Sequence, residues 1–184
     1  MKKFAALMIA LILALSCFAV AEEESYTIGI CQLMEHDALD AATQGFKDTL
    51  TEKLGGKVVF TEQNAQGEAV NCATIVTKFV ADGVDLIMAN GTPALLAAAN
   101  MTTEIPVLGT SVTGYAASGL VDSDDAPGAN VTGSSDYNPV TNQITLLQKL
   151  APEAKVIGIV YCSGEENSQI QADEAEAALT EAGY

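Results

Sequence analysis

Short apolar runs alternate with longer amphipathic stretches along most of the chain. The short runs read YTIGICQ (26–32), VVFTE (58–62), VDLIMA (84–89), PVLG (106–109) and KVIGIVY (155–161). Mostly apolar runs of this length are typical of strands that are buried on both faces of a parallel sheet. We therefore predict five strands, four of which lie in the first 110 residues.

Helical periodicity fills the intervals between the first four strands. Apolar residues recur there at steps of three and four. The periodic segments are 37–55, 69–83 and 92–101. Gly55 and Gly83 are placed to end the first two helices. Asp37 is placed to cap the first, and Thr92 followed by Pro93 predicts the cap and first turn of the third. This alternation of strand and helix predicts an α/β fold with a doubly wound parallel sheet.

The order of elements changes after the NVTG motif (130–133). Asn138 and Pro139 predict the start of a helix, and the last strand is followed by another helix with a capping box from Ser163 to Glu166. A lone parallel strand leaves its backbone groups unpaired on both sides. Either this strand joins the edge of the first sheet, or the sequence is a fragment of a longer protein, which is the interpretation we favour.

The first residues have the features of a secretion signal. Two lysines precede a short apolar run, which ends at the small-residue motif Ala19-Val20-Ala21. This pattern predicts a signal peptide over residues 1–21, and the run falls short of the ~20 apolar residues that a membrane span needs. As an alternative, Cys17 in LALSC is a lipid-attachment site. Both interpretations place the protein outside the cytoplasm, in the periplasm or, if lipidated, on the outer face of the membrane.

Charge and cysteine content limit the possible partners. The formal net charge is −16 at pH 7, so the chain would repel nucleic acids and anionic lipid surfaces. Beyond Cys17, the cysteines are Cys31, Cys72 and Cys162. An odd number without a C-x-x-C pair indicates neither a disulfide framework nor a metal site. We expect buried thiols, no metal and no cofactor.

Catalysis has little support in the sequence. His36 lies five residues after Cys31, so a Cys–His pair is conceivable, but Cys31 sits within an apolar strand and is expected to point into the core. The segment GTSVTG lacks the G-x-S-x-G spacing, and neither a G-x-G-x-x-G nor a Walker glycine run occurs. We therefore predict that the protein is not an enzyme.

Four loops follow the carboxyl ends of predicted strands, where open parallel sheets bind their ligands. They read QLMEHD (32–37), QNAQGE (63–68), NGTPA (90–94) and GTSVTG (109–114), and they are rich in amides, hydroxyls and glycine. The helix that starts at Thr92 offers backbone N–H groups to a ligand carboxylate, although an ordinary N-cap is the commoner role of a Thr-Pro pair. Glu35, Asp136 and Glu165 are available to a ligand ammonium group.

Six motifs, taken in order, resemble one protein family. They are GICQLMEHDALDAATQGFKDTL (29–50), NAQGE (64–68), DLIMANGTPALLAAA (85–99), IPVLGTSVTG (105–114), PGANVTGSSD (127–136) and GIVYCSGEENS (158–168). From about Tyr26 onward the chain resembles the substrate-binding proteins of bacterial ABC importers. The similarity is to the branch of the type I periplasmic-binding fold that includes binders of tryptophan and other aromatic amino acids.

The resemblance implies two α/β lobes that close on a small solute. This solute is expected to be an amino acid, and an aromatic amino acid is the first candidate. The protein would be a monomer and would deliver the solute to a membrane permease that works with an ATPase. Residues 22–134 would form a complete first lobe, and residues 135–184 a crossing segment and the beginning of a second lobe. The alternative is a stand-alone flavodoxin-like or sensor module without a transport role, in which the last strand joins the first sheet.

The resemblance also places the residues of the ligand-binding cleft. They are Gln32, Met34, Glu35, His36, Gln66, Gly91, Thr92, Pro93, Thr110, Ser111, Thr113, Ser135, Asp136, Ser163, Glu165, Asn167 and Ser168. Thr92, Ser111 and nearby N–H groups are expected to bind a carboxylate. Asp136 or Glu165 is expected to bind an ammonium group. Met34 and His36 are expected to contact the ligand side chain.

Two departures from the family pattern alter the expected rim of the cleft. HDALD stands where similar proteins tend to read HPALD, and SVTGY stands where they tend to read AVTDP, which introduces Asp37 and Tyr115. Tyr115 could stack on an aromatic ligand, but packing is the commoner role of a lone aromatic residue.

Overall fold

A computed structural model describes residues 25–184. The predicted signal peptide and Cys17 lie outside this range. Within it, the elements follow one another as β1 (Tyr26–Gln32), α1 (Asp37–Leu54), β2 (Val58–Asn64), α2 (Ala69–Asp82), β3 (Leu86–Asn90), α3 (Thr92–Met101), β4 (Val107–Val112), β5 (Val131–Ser135), α4 (Val140–Leu150) and α5 (Glu166–Glu181). A short 3₁₀ turn, Gly55–Lys57, joins α1 to β2.

The five strands form one parallel sheet in the order β2-β1-β3-β4-β5. The chain moves from β1 outward to β2 and then crosses to the other side of β1, where β3, β4 and β5 follow. The strand order therefore reverses between β1 and β3, which is the position where open α/β sheets form a ligand crevice. The predicted α/β class with a parallel sheet is confirmed.

Helices cover both faces of the sheet, as a doubly wound fold requires. On one face, Ile28, Ile30 and Met88 pack against Phe46 and Leu50 of α1. On the other face, a larger core cluster joins the strands to α2 and α3. Both faces of β1 and β3 are consequently apolar, which explains why their sequences are nearly continuous apolar runs rather than alternating ones.

A glycine in β1 sets how closely α2 approaches the sheet. The ring of Phe79, which is fully buried in α2, lies directly over Gly29, and a Cβ atom added at Gly29 would fall 2.7 Å from that ring. Only a residue without a side chain leaves room for this contact. The contact holds the last turn of α2 against the middle of β1.

The carboxyl ends of the first two helices agree with the predictions, whereas the amino end of α1 differs. Gly55 and Gly83 end α1 and α2 with positive φ angles of 62° and 67°. The residue that caps α1 is His36 rather than Asp37, because the Nδ1 atom of its imidazole accepts a hydrogen bond from the N–H of Ala38 at 3.2 Å. Asp37 is the first helical residue instead, where its charge favours the helix dipole.

The amino ends of α3 and α5 also differ from the predictions. Gly91 rather than Thr92 precedes α3, with a φ of 105° that favours glycine, and Pro93 lies in the first turn as expected. The predicted capping box of α5 is not formed, since Glu165 precedes the helix without a side-chain capping bond. Near this end of the helix, the hydroxyl oxygen of Ser168 accepts a hydrogen bond from the backbone N–H of Cys162 at 3.0 Å.

Two strand assignments are corrected by the structure. The strand β5 was not predicted from the sequence; it lies at the edge of the sheet, and Val131 is its one buried residue. The strand predicted at 155–161 is wrong, because this segment pairs with no other strand of residues 25–184 and Val160 is 100% exposed. The segment joins neither edge of the sheet, so the alternative in which it completes the first sheet is not observed.

We expect Gly29→Ala to lower the free energy of unfolding by about 1–3 kcal/mol, since an extra methyl group in a packed core forces its neighbours away. Urea denaturation of the full-length protein, followed by circular dichroism, measures this change.

Gly45→Ala is the matched control. Gly45 lies inside α1, and a Cβ atom there would meet nothing within 4 Å beyond the backbone of its own helix. We expect this variant to be stabilised by up to roughly 1 kcal/mol, because alanine favours the helix over glycine. Equal effects of the two substitutions would contradict the close packing of Phe79 on β1.

Candidate functional site

The carboxyl ends of the strands bring the predicted loops together at one edge of the sheet. Backbone hydrogen bonds extend the strand pairing into these loops, from Leu33 N–H to the Asn90 carbonyl and from Gly91 N–H to the Thr110 carbonyl, each at 3.0 Å. At the far end, the N–H of Asp136 donates to the carbonyl of the last β4 residue at 3.0 Å. All predicted site residues between 32 and 136 therefore lie along this edge.

Gln32 differs from the other residues predicted at the edge. Its side chain is 3% exposed and points toward α1 instead of outward. Its Oε1 atom accepts from the hydroxyl of Thr43 at 2.6 Å, and its Nε2 atom donates to the Met34 carbonyl at 2.8 Å and to Asp40 Oδ1 at 2.6 Å. The polar atoms of Gln32 are occupied within the protein, so the structure does not place this amide as a ligand contact.

The rest of the first loop is open to solvent. Glu35 and His36 are exposed, and Met34 is half-buried beside Gly67. A Cβ atom added at Gly67 would lie 3.6 Å from the terminal methyl group of Met34. Gln66 in the neighbouring loop is exposed, with its backbone N–H bound to Asn64 Oδ1 at 2.8 Å. These side chains form the part of the edge nearest β2.

Two residues at this edge have a backbone conformation that is uncommon for side chains other than glycine. Gln66 and Ser111 have φ angles of 57° and 55°. At Ser111 the pairing of β4 with β5 shifts register between Gly109 and Val112, which is a β-bulge. Strained residues and bulges are concentrated at functional sites, where they turn a side chain away from the regular direction of its strand.

The third loop is buried, and it contains polar atoms without partners. Gly91, Thr92 and Pro93 are all buried at the start of α3. The Thr92 hydroxyl has no hydrogen-bond partner among the described residues, and neither does Oδ1 of Asn90. Buried polar atoms normally have partners, so a water molecule or a ligand group is expected to satisfy them.

A cavity of about 330 Å³ lies where the ends of β4 and β5 meet the amino-terminal half of α5. We call it the β4–β5 cavity. Three of the predicted site residues, Thr113, Ser135 and Asn167, line it together. Its volume is in the range of about 300–1,000 Å³ that is usual for small-molecule sites. The Oδ1 atom of Asn167 is buried and has no hydrogen-bond partner within residues 25–184.

Further residues of this cavity were not found from the sequence. Asp124, Tyr137 and Glu174 add two acids and a phenol to its lining. The Tyr137 hydroxyl donates to Glu174 Oε2 at 3.0 Å, and this hydrogen bond to a carboxylate raises the pKa of Tyr137. These residues come from a loop, a crossing segment and a helix that no motif links, so the sequence carried no signal for their proximity.

The remaining predicted residues of the second side lie outside the β4–β5 cavity. Glu165 lies between Gly164 and Glu166. These two neighbours line a different cavity, whose other walls are residues of α2 and α3, including Pro93. Ser168 faces the segment 155–161. Ser163 is exposed. Of the four predicted residues after position 160, the structure brings only Asn167 into the cavity with residues of the sheet edge.

Tyr115 packs in the core and does not form the rim of the cleft. It is buried against the glycines at 109 and 133, and its hydroxyl donates to the Ser134 carbonyl at 3.2 Å. Burial, together with the negative charges of Asp136 and Asp124, raises the pKa of Tyr115 to about 12. The packing role is therefore confirmed, and stacking on a ligand is not observed.

The conceivable Cys–His pair is not formed. Cys31 is fully buried beside Cys72 in the core, and both the contact with this second thiol and burial raise the pKa of Cys31. His36 is exposed, and its Nδ1 atom is bound to the backbone of α1. The expectation of buried thiols is confirmed for Cys31 and Cys72 but is wrong for Cys162, which is exposed.

The helices of residues 25–184 include none with the length and apolar character needed to cross a membrane.

Comparison with known proteins identifies a family. A model of the family described as ABC transporter substrate binding protein matches residues 27–184. A tyrosine-binding protein of Clostridioides difficile strain R20291 is 44% identical over 149 residues, which are 79% of this chain and 43% of that protein.

Two solved structures extend the comparison. An ABC domain from Streptococcus pneumoniae in complex with L-tryptophan has 35% sequence identity and a TM-score of 0.80. The ligand-free, open structure of a Clostridium difficile substrate-binding protein with adhesive properties has 40% identity and a TM-score of 0.66. In both cases 86% of this chain and 55% of the other chain are covered. The chain thus spans about half the length of the relatives it matches.

The raised pKa of Tyr115 predicts a loss of stability in alkali. An unfolded tyrosine ionises near its ordinary pKa of about 10, so between pH 10 and 12 the unfolded chain releases a proton that the folded protein retains. The free energy of unfolding of the wild type should fall over this interval by about 2–3 kcal/mol more than that of Tyr115→Phe. Below pH 10 the wild type should be the more stable of the two by about 1 kcal/mol, because the hydroxyl keeps its hydrogen bond.

Urea denaturation at a series of pH values measures the difference between the two proteins. Parallel curves for the two proteins from pH 9 to 12 would show that Tyr115 is not held protonated by its surroundings.

Proposed function

The chain belongs to the ABC transporter substrate-binding protein family, and we propose that it captures an amino acid, of the aromatic class, at the edge of the sheet described above and delivers it to a membrane permease. The relatives support the choice of ligand, since one is named a tyrosine-binding protein and another was solved with L-tryptophan. The observation that carries the proposal is the convergence of four polar loops at the carboxyl edge of the sheet, which includes its topological switch point between β1 and β3.

The amino end of α3 is suited to the ligand carboxylate. The first N–H group of α3 that donates to the backbone is that of Leu95, at 3.0 Å from the Gly91 carbonyl, so the N–H groups of Thr92 and Ala94 have no acceptor within the helix. These N–H groups and the helix dipole favour a negative charge. In the part of the chain that the structure describes, the Thr92 hydroxyl has no hydrogen-bond partner. Ser111 lies at the bulge of β4, two strands from β1.

An acid near the β4–β5 cavity is suited to the ligand ammonium group. Asp136 is exposed directly after β5, and its neighbours Ser135 and Tyr137 line the cavity. Glu165 precedes α5 and is the alternative partner. A carboxylate that gains an ammonium partner in a closed cleft forms a charge-assisted hydrogen bond, which is stronger than a neutral one.

The ligand side chain would extend toward the first loop. Met34 offers a polarisable thioether, which contacts aromatic rings favourably, and His36 lies exposed at the end of the same loop. Lysine and arginine do not occur in the segments 32–37, 63–68, 90–94 and 109–114, so a zwitterion whose carboxylate is bound by backbone groups suits this edge better than a polyanion.

Capture between two lobes would supply most of the affinity. Residues from 136 onward bring Asn167 against the sheet edge, where it lines the β4–β5 cavity. Closure excludes water and adds contacts from the second side. In the proposed cycle, a monomer outside the cytoplasm binds the solute without catalysis and passes it to a permease and its ATPase.

Thermal unfolding of the full-length protein with a panel of the twenty amino acids tests the choice of ligand. L-tryptophan or L-tyrosine at 100 times its dissociation constant should raise the free energy of unfolding by about 2.7 kcal/mol. Tryptamine, which lacks the carboxylate, and indole-3-propionate, which lacks the ammonium group, should give smaller shifts. Stabilisation by sugars alone, with no response to amino acids, would contradict the proposed ligand class.

Asp136→Asn tests the ammonium partner. Loss of a hydrogen bond to a charged group costs about 1.5–3 kcal/mol, so calorimetric titration should show binding of the amino acid weakened by roughly ten- to a hundredfold. Glu165→Gln tests the alternative acid in the same way. Asp122→Asn, a change at an exposed acid of the 113–130 loop, is the control and should bind like the wild type. If neither Asp136→Asn nor Glu165→Gln weakens binding, neither acid is the partner.

A further inference from the structure

We propose that a buried chain of side-chain hydrogen bonds, Asn90 to Thr43 to Gln32, holds the first and third loops of the cleft in the arrangement that binds ligand. The proposal rests on the function proposed above. It assigns Gln32, Thr43 and Asn90 as positioning residues, which act through the loops and do not touch the ligand. Gln32 is thereby given a different role from the ligand contact expected from the sequence.

The three side chains come from three elements and meet out of contact with solvent. Gln32 ends β1, Thr43 lies in the middle of α1, and Asn90 ends β3. Each of them is at most 3% exposed. Thr43 is central, because its hydroxyl lies 2.6 Å from Gln32 Oε1 and 2.9 Å from Asn90 Nδ2.

Hydrogen-bond chemistry fixes which atom donates and which accepts in the bonds among Asn90, Thr43 and Gln32. The amide nitrogen of Asn90 can only donate, so the Thr43 oxygen accepts from it and uses its own single proton for Gln32 Oε1. This orients the Gln32 amide, whose Nε2 atom then faces the first loop and donates to the Met34 carbonyl at 2.8 Å. Flipping that amide would place Oε1 against the Met34 carbonyl oxygen, and two acceptors cannot bind each other. It would also place Nε2 against the Thr43 hydroxyl, which already uses its proton as a donor in this direction.

The hydrogen bonds of Gln32, Thr43 and Asn90 connect the parts of the site that are expected to contact the ligand. The Met34 carbonyl belongs to the loop that carries Glu35 and His36, and Asn90 directly precedes Gly91 at the start of the third loop. Asn90 Nδ2 also donates to the Leu39 carbonyl at 2.7 Å, which ties the first turn of α1 to β3. The two hydrogen bonds of the Thr43 hydroxyl are buried, so water does not replace a partner that is lost there.

Thr43→Val removes the central hydroxyl while keeping a side chain of similar shape. We expect the backbone amides of residues 33–39 in the ligand-free, full-length protein to exchange with deuterium about tenfold faster or more. Affinity for L-tryptophan and L-tyrosine should fall on the order of tenfold, because the loop must be ordered during binding. Thr43→Ser keeps the hydroxyl and should restore both properties.

Thr49→Val is the matched control on the same helix. Its hydroxyl is exposed and donates only to the Gly45 carbonyl of α1 itself, so exchange at 33–39 and ligand affinity should remain those of the wild type.

The results separate this proposal from the proposed function. Wild-type exchange at 33–39 in Thr43→Val, or a failure of Thr43→Ser to restore it, would refute the positioning role. Faster exchange spread evenly over all helices and strands would also refute it, since that indicates global loss of stability. If the wild type binds neither amino acid, the proposed ligand is wrong, while the exchange measurement still decides on the positioning role.

Discussion

Parallel pairing of the strands is the constraint on which the candidate site depends. In a parallel sheet all strands end on the same side, so loops far apart in the sequence become neighbours. Here the pairing continues past the strands, through the bonds of Leu33 to Asn90 and of Gly91 to Thr110. Backbone groups make these bonds, so the pairing itself uses none of the loop side chains.

The electrostatic character of the edge follows from what its loops contain. The chain has a net charge of −16, and cationic side chains do not occur in the first four loops. Positive potential at this edge must then come from the backbone, for which the amino end of α3 is the best placed source. The same composition allows acids such as Asp136 to balance an ammonium group at the other end of a zwitterion.

Much of the fold could be read from the sequence, because strands buried on both faces appear as continuous apolar runs. β5 was missed since an edge strand with one buried residue has no such run, and 155–161 was misassigned since an apolar run forms a strand only when a partner is present. The residue that caps a helix is set by a φ angle or by a single side-chain hydrogen bond. The hydrophobic pattern cannot locate such a residue to one position, so His36 and Gly91 cap α1 and α3 where the neighbouring residues were predicted. The loops of the site were located by strand ends, whereas the inward direction of Gln32 depends on Thr43 from another element.

The exposed segment 156–161, VIGIVY, has a consequence for how the polypeptide behaves in concentrated solution. It is uncharged, rich in β-branched residues and free of proline, which are the properties of sequences that assemble into intermolecular β-structure. Val156 and Val160 leave such a surface open, at 88% and 100% exposure. Lys155 on one side and Glu165 and Glu166 on the other act as charged gatekeepers that oppose stacking. High salt screens these charges, so solubility at high salt should fall when the segment 156–161 is exposed and should be kept when other residues cover it.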